Sequence, residues 1–89
     1  MDEETFEFVK RSTYRKRVLT SLEGNVLMPT EIAERSNIKT NHVSKVLSEL
    51  KSKELIELVN PEARKGRLYR LTDVGDEIVD KILGDIKSN

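Results

Sequence analysis

The sequence predicts an α+β domain that is mainly helical, with three helices, a two-stranded β-hairpin and a C-terminal helix in that order. Apolar residues recur at helical spacing in residues 40–50 and again in residues 74–86. Residues 55–71 lie between them and are typical of two short strands around a turn that contains Pro and Gly. At 89 residues the chain has room for a single domain, with its core over residues 12–72 and the last helix over residues 73–87.

The first helix is predicted over residues 12–22, where Ser12 is a suitable N-cap and the Gly-Asn pair at residues 24–25 is a suitable stop. The start of this helix is ambiguous because two Phe residues flank a Glu in residues 6–8 and alternate as in a strand.

The second and third helices are predicted to follow in close succession. Thr30 can cap the second, and Glu31 lies near the positive end of its dipole. After a turn over residues 36–39, the third helix opens at Thr40. Its apolar stripe has the i, i+3, i+4, i+7 spacing and consists of Val43, Val46, Leu47 and Leu50.

The hairpin is predicted from strands over residues 55–59 and 67–71, and Thr72 is the candidate cap of the helix that follows. The apolar positions of that last helix are Val74, Ile78, Val79, Ile82, Leu83 and Ile86. Such a wide apolar face either mediates a homodimer or packs on the first helix, and the homodimer is our hypothesis.

The formal net charge is zero, but the charges are unevenly distributed. Residues 1–34 carry five basic and seven acidic groups (−2), residues 35–72 carry nine and four (+5), and residues 73–89 carry two and five (−3). A basic block between acidic ends favours a polyanionic partner for the middle of the chain. In the first helix Arg11, Arg15, Lys16 and Arg17 either bind phosphate or pair with the acidic Asp2, Glu3, Glu4 and Glu7.

Several classes of protein are disfavoured by composition. The chain has no Cys and one His, so we expect neither a metal site nor a catalytic triad, and no enzyme, cofactor or evident small-molecule effector. Apolar runs are too short to span a membrane and the first residues are acidic, unlike a signal peptide. A soluble cytoplasmic protein is therefore expected.

The third helix has a free face suited to reading DNA. Opposite its apolar stripe lie Asn41, Lys45, Ser48 and Ser52, flanked by His42 and Ser44. Asn can pair with adenine, Lys with guanine or phosphate, and Ser with bases or backbone oxygens. Two helices joined by a short turn form the arrangement that places the second in the major groove. The alternative is a polar face that is merely solvated.

The hairpin tip concentrates positive charge. Arg64, Lys65 and Arg67 surround a Gly, and Arg70 follows. A basic tip can reach backbone phosphate or the minor groove, whereas the alternative is an edge hairpin kept soluble by its charges. Glu62 would make DNA binding by this tip less favourable, because its carboxylate would face phosphate.

The chain resembles the winged helix-turn-helix transcription regulators, especially small archaeal ones related to the multiple-antibiotic-resistance (MarR-like) type. The resemblance lies in residues 12–19 (STYRKRVL), 29–33 (PTEIA), 42–50 (HVSKVLSEL) and 66–75 (GRLYRLTDVG). It departs at Glu54, where such proteins often have Gly before the first wing strand.

The resemblance implies that the third helix reads double-stranded DNA, that the hairpin is a wing on the backbone, and that dimers bind paired half-sites. It implies those DNA-binding roles for Asn41, Lys45, Arg64, Lys65 and Arg67. The complete candidate DNA-binding set is Thr40, Asn41, His42, Ser44, Lys45, Ser48, Arg64, Lys65 and Arg67. The alternative is a winged-helix protein interaction module within a larger transcription or nucleic-acid assembly, which the neutral net charge and Glu62 favour.

Overall fold

The structure is a computed structural model that describes the backbone of residues 3–87 and the side chains of residues 3–84. The predicted order of helices and hairpin is confirmed, with one further helix at the N-terminal end. The elements are α1 (Glu3–Lys10), α2 (Thr13–Ser21), α3 (Pro29–Ser36), α4 (Thr40–Ser52), β1 (Ile56–Leu58), β2 (Tyr69–Leu71) and α5 (Asp73–Lys87).

The N-terminal helix corrects the strand-like interpretation of residues 6–8. Phe6 and Val9 are both buried, and their i, i+3 spacing places them on one face of α1. Alternation over three residues was too short a signal to distinguish a strand from a helix. The predicted cap of the next helix is confirmed, because the Ser12 hydroxyl accepts a hydrogen bond from the Arg15 amide at 3.2 Å.

The start of α3 corrects a second expectation, since Thr30 lies inside the helix and does not cap it. Pro29 occupies the first turn, where its fixed φ fits a helix and its missing N–H costs nothing. The residue before it, Met28, donates its amide to the Glu31 carboxylate at 2.8 Å. Glu31 therefore satisfies the backbone at this helix start.

The turn between α3 and α4 combines a left-handed residue with a buried apolar side chain. Asn37 ends α3 in the left-handed region at φ 57°, which Asn tolerates better than most residues. Ile38 then donates its amide to the Ala33 carbonyl at 3.1 Å and buries its side chain. All four residues of the predicted α4 stripe are buried, namely Val43, Val46, Leu47 and Leu50.

The hairpin is antiparallel, with Ile56 opposite Leu71 and Leu58 opposite Tyr69. A third, one-residue strand was not predicted. Leu27 exchanges both backbone hydrogen bonds with Tyr69, at 3.0 and 2.9 Å, so β2 is paired on both sides there. This bridge ties the base of the hairpin to the segment that leads into α3.

The start of α5 is capped as predicted, with the Thr72 hydroxyl accepting from the Gly75 amide at 3.1 Å. Ile78, Val79 and Ile82 are buried in the common core, and α5 packs on α2. Packing of α5 within the domain, the alternative to a homodimer, therefore covers most of the apolar face of this helix. Val74 is 39% exposed and Leu83 is half-buried, whereas the side chain of Ile86 lies outside the described residues.

Candidate nucleic-acid interface

The outward face of α4 is exposed. All six candidate residues on this helix are exposed, namely Thr40, Asn41, His42, Ser44, Lys45 and Ser48. The opposite face of the helix is anchored in the core, and α4 is held by both α2 and α3. Short polar side chains and one lysine thus project from a helix that is packed against two others, an arrangement suited to groove contacts.

His42 lies at one edge of this face and is not simply surrounded by solvent. Its imidazole lies 5.5 Å from the ring of Tyr14, centroid to centroid, with the two rings tilted by 60°. Tyr14 is 40% exposed, so the two rings form a small exposed aromatic pair between α2 and the start of α4.

The wing, which we define as residues 59–68, is organised by Asn60 at its base. The Asn60 side chain accepts from the Leu68 amide at 2.8 Å and donates to the Gly66 carbonyl at 3.0 Å. Gly66 adopts φ +65°, which a residue with a Cβ rarely does. These contacts close the loop, so that Arg64 and Lys65 are displayed at an exposed tip.

Arg67 is a basic wing residue that lies next to α4. Its Nε donates to the Ala63 carbonyl at 3.2 Å, and it lines a cleft of about 370 Å³ between the wing base and α4. Ser44, Ser48 and Lys51 line the same cleft. Arg64 and Lys65 are not among its lining residues.

Lys51 is a candidate contact that the sequence reasoning missed. It is exposed and lies seven residues after Ser44, so the same helical face carries both residues. Continuing the flanking row of Ser44 along the helix by two turns would have included it. The cleft therefore holds two positive side chains, Lys51 and Arg67.

Two other basic residues have intramolecular partners. Arg70 forms an ion pair with Glu57, which lies directly opposite it across the hairpin, so it adds little net charge to the wing. Arg15 pairs with Glu49 on α4, a partner that the sequence did not indicate. The Arg15 hydrogen bonds lower the pKa of the Glu49 carboxyl, and the nearby charges of Arg15 and Lys45 act in the same direction.

Within residues 3–84, no three or more His, Asp or Glu side chains are close enough to hold a metal ion. Among the described helices, none is long and apolar enough to cross a membrane.

Comparison with known proteins identifies a family and a fold. A model of the winged helix-turn-helix family matches residues 10–87. None of the curated proteins compared with this chain matches it. Among solved structures, a MarR family transcriptional regulator from Silicibacter pomeroyi has a TM-score of 0.75 at 17% identity, covering 97% of this chain and 64% of that one.

Two further structures are similar. A mutant of S. aureus MepR has a TM-score of 0.78 at 21% identity, over 96% of this chain and 65% of that one. Lactococcus lactis ZitR in complex with DNA has a TM-score of 0.69 at 21% identity, over 86% and 58% of the two chains. This chain thus spans less than two-thirds of the length of these structures. The predicted winged helix-turn-helix fold is confirmed.

Proposed function

Because this chain belongs to the winged helix-turn-helix family, we propose that it is a sequence-specific transcription regulator that binds double-stranded DNA. In this proposal α4 enters the major groove and the wing lies on the adjacent backbone. The observation that carries it is the cleft in which Ser44, Ser48 and Lys51 of α4 face Arg67 of the wing. A similar fold is known in complex with DNA, that of ZitR.

The outermost residues of α4 are proposed to read bases. Asn41, Lys45 and Ser48 are exposed on the side of the helix opposite its buried stripe. An amide can bond adenine at two atoms, and an ammonium can bond the acceptors of guanine. Thr40, His42 and Ser44 lie beside them, where hydroxyl or imidazole groups can bind phosphate or base edges.

The wing is proposed to bind backbone phosphate. Arg64 and Lys65 are exposed at its tip, and Arg67 is exposed nearer its base. Each phosphate neutralised by such a residue releases condensed counterions, so binding should weaken steeply as salt rises. Glu62 is also exposed on the wing, and repulsion from phosphate favours orientations that point it away from the DNA.

We also propose that two copies associate through α5 and bind paired half-sites on a pseudo-palindrome. Support comes from Leu83 of α5, which the core covers only partly. Light scattering after size exclusion tests this part separately. A mass twice that of the chain, reduced by Leu83→Glu, supports it, and a monomer at high concentration contradicts it.

Fluorescence anisotropy with mixed-sequence duplex DNA tests DNA binding. Lys45→Ala and the pair Arg64→Ala/Lys65→Ala should each weaken binding, because each removes a proposed contact. A matched control replaces charged side chains that are not proposed to contact DNA. The pair Arg70→Gln/Glu57→Gln deletes an existing ion pair, leaves the net charge unchanged, and should retain the wild-type affinity.

Absence of binding even at low salt would contradict the proposal. That outcome would favour the rival function, a protein interaction module, for which the specific observation is the exposed Glu62 on an otherwise basic wing. A module of that kind would bind its protein partner with affinity unchanged by Lys45→Ala.

A further inference from the structure

A second cleft of about 430 Å³ lies between α2 and the C-terminal end of α3. Two guanidinium groups line it, those of Arg17 on α2 and Arg35 on α3, together with Thr20, Ser21, Ser36 and Asn37. No acidic residue is among the lining residues. The cleft is therefore a concave, purely basic and polar surface formed by residues far apart in the sequence.

Neither guanidinium has an intramolecular partner among the described residues. The described ion pairs engage Arg15 and Arg70, and no described hydrogen bond uses the side chain of Arg17 or Arg35. Both side chains are exposed. Two like charges at one cleft repel each other unless an anion lies between or beside them.

The basic surface continues toward the start of α4. Asn37 also lines a neighbouring cleft, whose other residues include Lys39, His42 and Tyr14. Lys39 precedes the first residue of α4 and is exposed. Glu34 is the one acidic residue in this neighbouring cleft, so positive side chains outnumber negative ones across the two clefts together.

The outward face of α4 thus has basic surfaces at both of its edges. The Ser44 and Lys51 edge faces Arg67 of the wing, whereas the His42 edge meets Tyr14 of α2. A helix in the major groove has a phosphate backbone along each wall of the groove. A wing at one edge can reach only one of these two strands.

We propose that Arg17, Arg35 and Lys39 form a second phosphate-binding surface that contacts the DNA strand on the groove wall opposite the wing. This inference rests on the proposed DNA-binding function and adds a contact to it. Phosphate contacts of this kind fix the orientation of the helix in the groove and carry no sequence information. The surface should therefore raise the affinity for all duplexes alike.

Anisotropy titrations of Arg17→Gln, Arg35→Gln and the double variant, each in the whole 89-residue chain, test this surface over a range of about 50 to 200 mM salt. The matched control is Lys16→Gln, which removes one positive charge from the same helix at a position outside the cleft. Gln keeps a good helix former at each site. Thermal unfolding checks that all variants are folded.

Each cleft variant should reduce the slope of log affinity against log salt by about 1, and the double variant by about 2, with roughly tenfold weaker binding. The loss should be equal for duplexes of different sequence, and Lys16→Gln should leave the slope unchanged. Wild-type binding with unchanged slopes in both cleft variants overturns this inference and leaves the proposed function intact. No wild-type binding overturns both.

A further arm identifies the source of the anion. Inorganic phosphate is added at constant ionic strength, and its binding is followed through the backbone amide shifts of Asn37. If phosphate binds tightly at this cleft and the cleft variants retain wild-type DNA affinity, the site serves a free anion and the inference is wrong. If phosphate binds only weakly and the variants lose DNA affinity, the backbone of DNA is the ligand.

Discussion

Arg15 on α2 contacts Glu49 on α4 at two points, Nε to Oε1 at 3.3 Å and Nη2 to Oε2 at 3.0 Å. The same guanidinium donates through Nη1 to the Phe8 carbonyl at 2.9 Å and lies 3.7 Å from the centre of the Phe8 ring. One side chain therefore joins α1 and α2 to the helix proposed to read DNA. Bidentate, charge-assisted contacts of this kind are stronger than neutral hydrogen bonds.

Replacing Arg15 should destabilise the fold. We expect Arg15→Ala to lower the free energy of unfolding by about 2 kcal/mol, because a hydrogen bond to a charged group and a cation–π contact are both lost. Arg15→Lys should restore little of this stability, since an ammonium group cannot make the two parallel hydrogen bonds of the planar guanidinium.

Urea unfolding of Arg15→Ala, Glu49→Ala and the double variant measures the coupling directly. A coupling energy of roughly 1 kcal/mol is expected for a partly exposed, bidentate pair. Strictly additive effects would show that the two side chains stabilise the fold independently.

Acid should remove the contribution of Glu49. Its pKa is lowered in the fold, chiefly by the Arg15 hydrogen bonds, so the unfolded chain binds the proton more tightly. The stabilisation is therefore present above the ordinary value of 4.5 and is lost as pH falls through the lowered pKa. When the free energy of unfolding is measured against pH, it should fall less below pH 4.5 in Glu49→Gln than in the wild type. Parallel curves for the two proteins contradict this.

Two glycines of α5 should respond oppositely to alanine. A Cβ at Gly75 would lie 2.0 Å from the Leu55 carbonyl oxygen, whereas one at Gly84 meets nothing within 4 Å. We expect Gly75→Ala to lower the free energy of unfolding by roughly 3 kcal/mol, because the added methyl group would clash with the backbone. Gly84→Ala should instead stabilise the helix by about 0.5 to 1 kcal/mol. Melting temperatures of the two variants should shift in opposite directions, and a stable Gly75→Ala would mean that α5 does not approach Leu55 this closely.

Glu54 is a strained position that glycine should relieve. Its φ of 59° lies in the left-handed region, and this is the position where the resemblance to the family indicated a Gly. The backbone contacts of Glu54 with Lys51 and Thr72 do not depend on its side chain. Glu54→Gly should therefore raise the free energy of unfolding by about 1 kcal/mol, and Glu54→Ala should not. Equal stability of the two variants would contradict this account of strain.

Patterns that extend over several turns were sufficient to predict α4 and α5. The buried stripe that includes Val43 and Leu50 and the cap at Thr72 were read from local spacing alone, and the structure has both. The start of α3 was harder to predict. Thr30 is a good cap by type, but Pro29 and the Glu31 carboxylate supply the first turn instead.

Contacts between distant residues left no local signal. Arg15 and Glu49 are 34 residues apart, and the pairing of Leu27 with Tyr69 involves one residue on each side, so neither has a period to detect. The exposed face of α4 was predictable because burial of the opposite stripe determines it. Lys51 and Arg67 line the same cleft because of the way the wing packs against α4, and this packing is determined by the whole fold.

Dimethyl sulfate footprinting tests the central proposal, that α4 reads the major groove, most directly. The reagent methylates guanine at N7, an atom in the major groove, and the duplex is one selected by the protein from a random pool. We expect the wild-type protein to protect guanine N7 atoms within the selected site. Lys45→Ala should lose this protection at defined guanines. The wing variants should bind more weakly but protect the same guanines. A saturated complex in which no guanine N7 is protected would contradict insertion of α4 into the major groove.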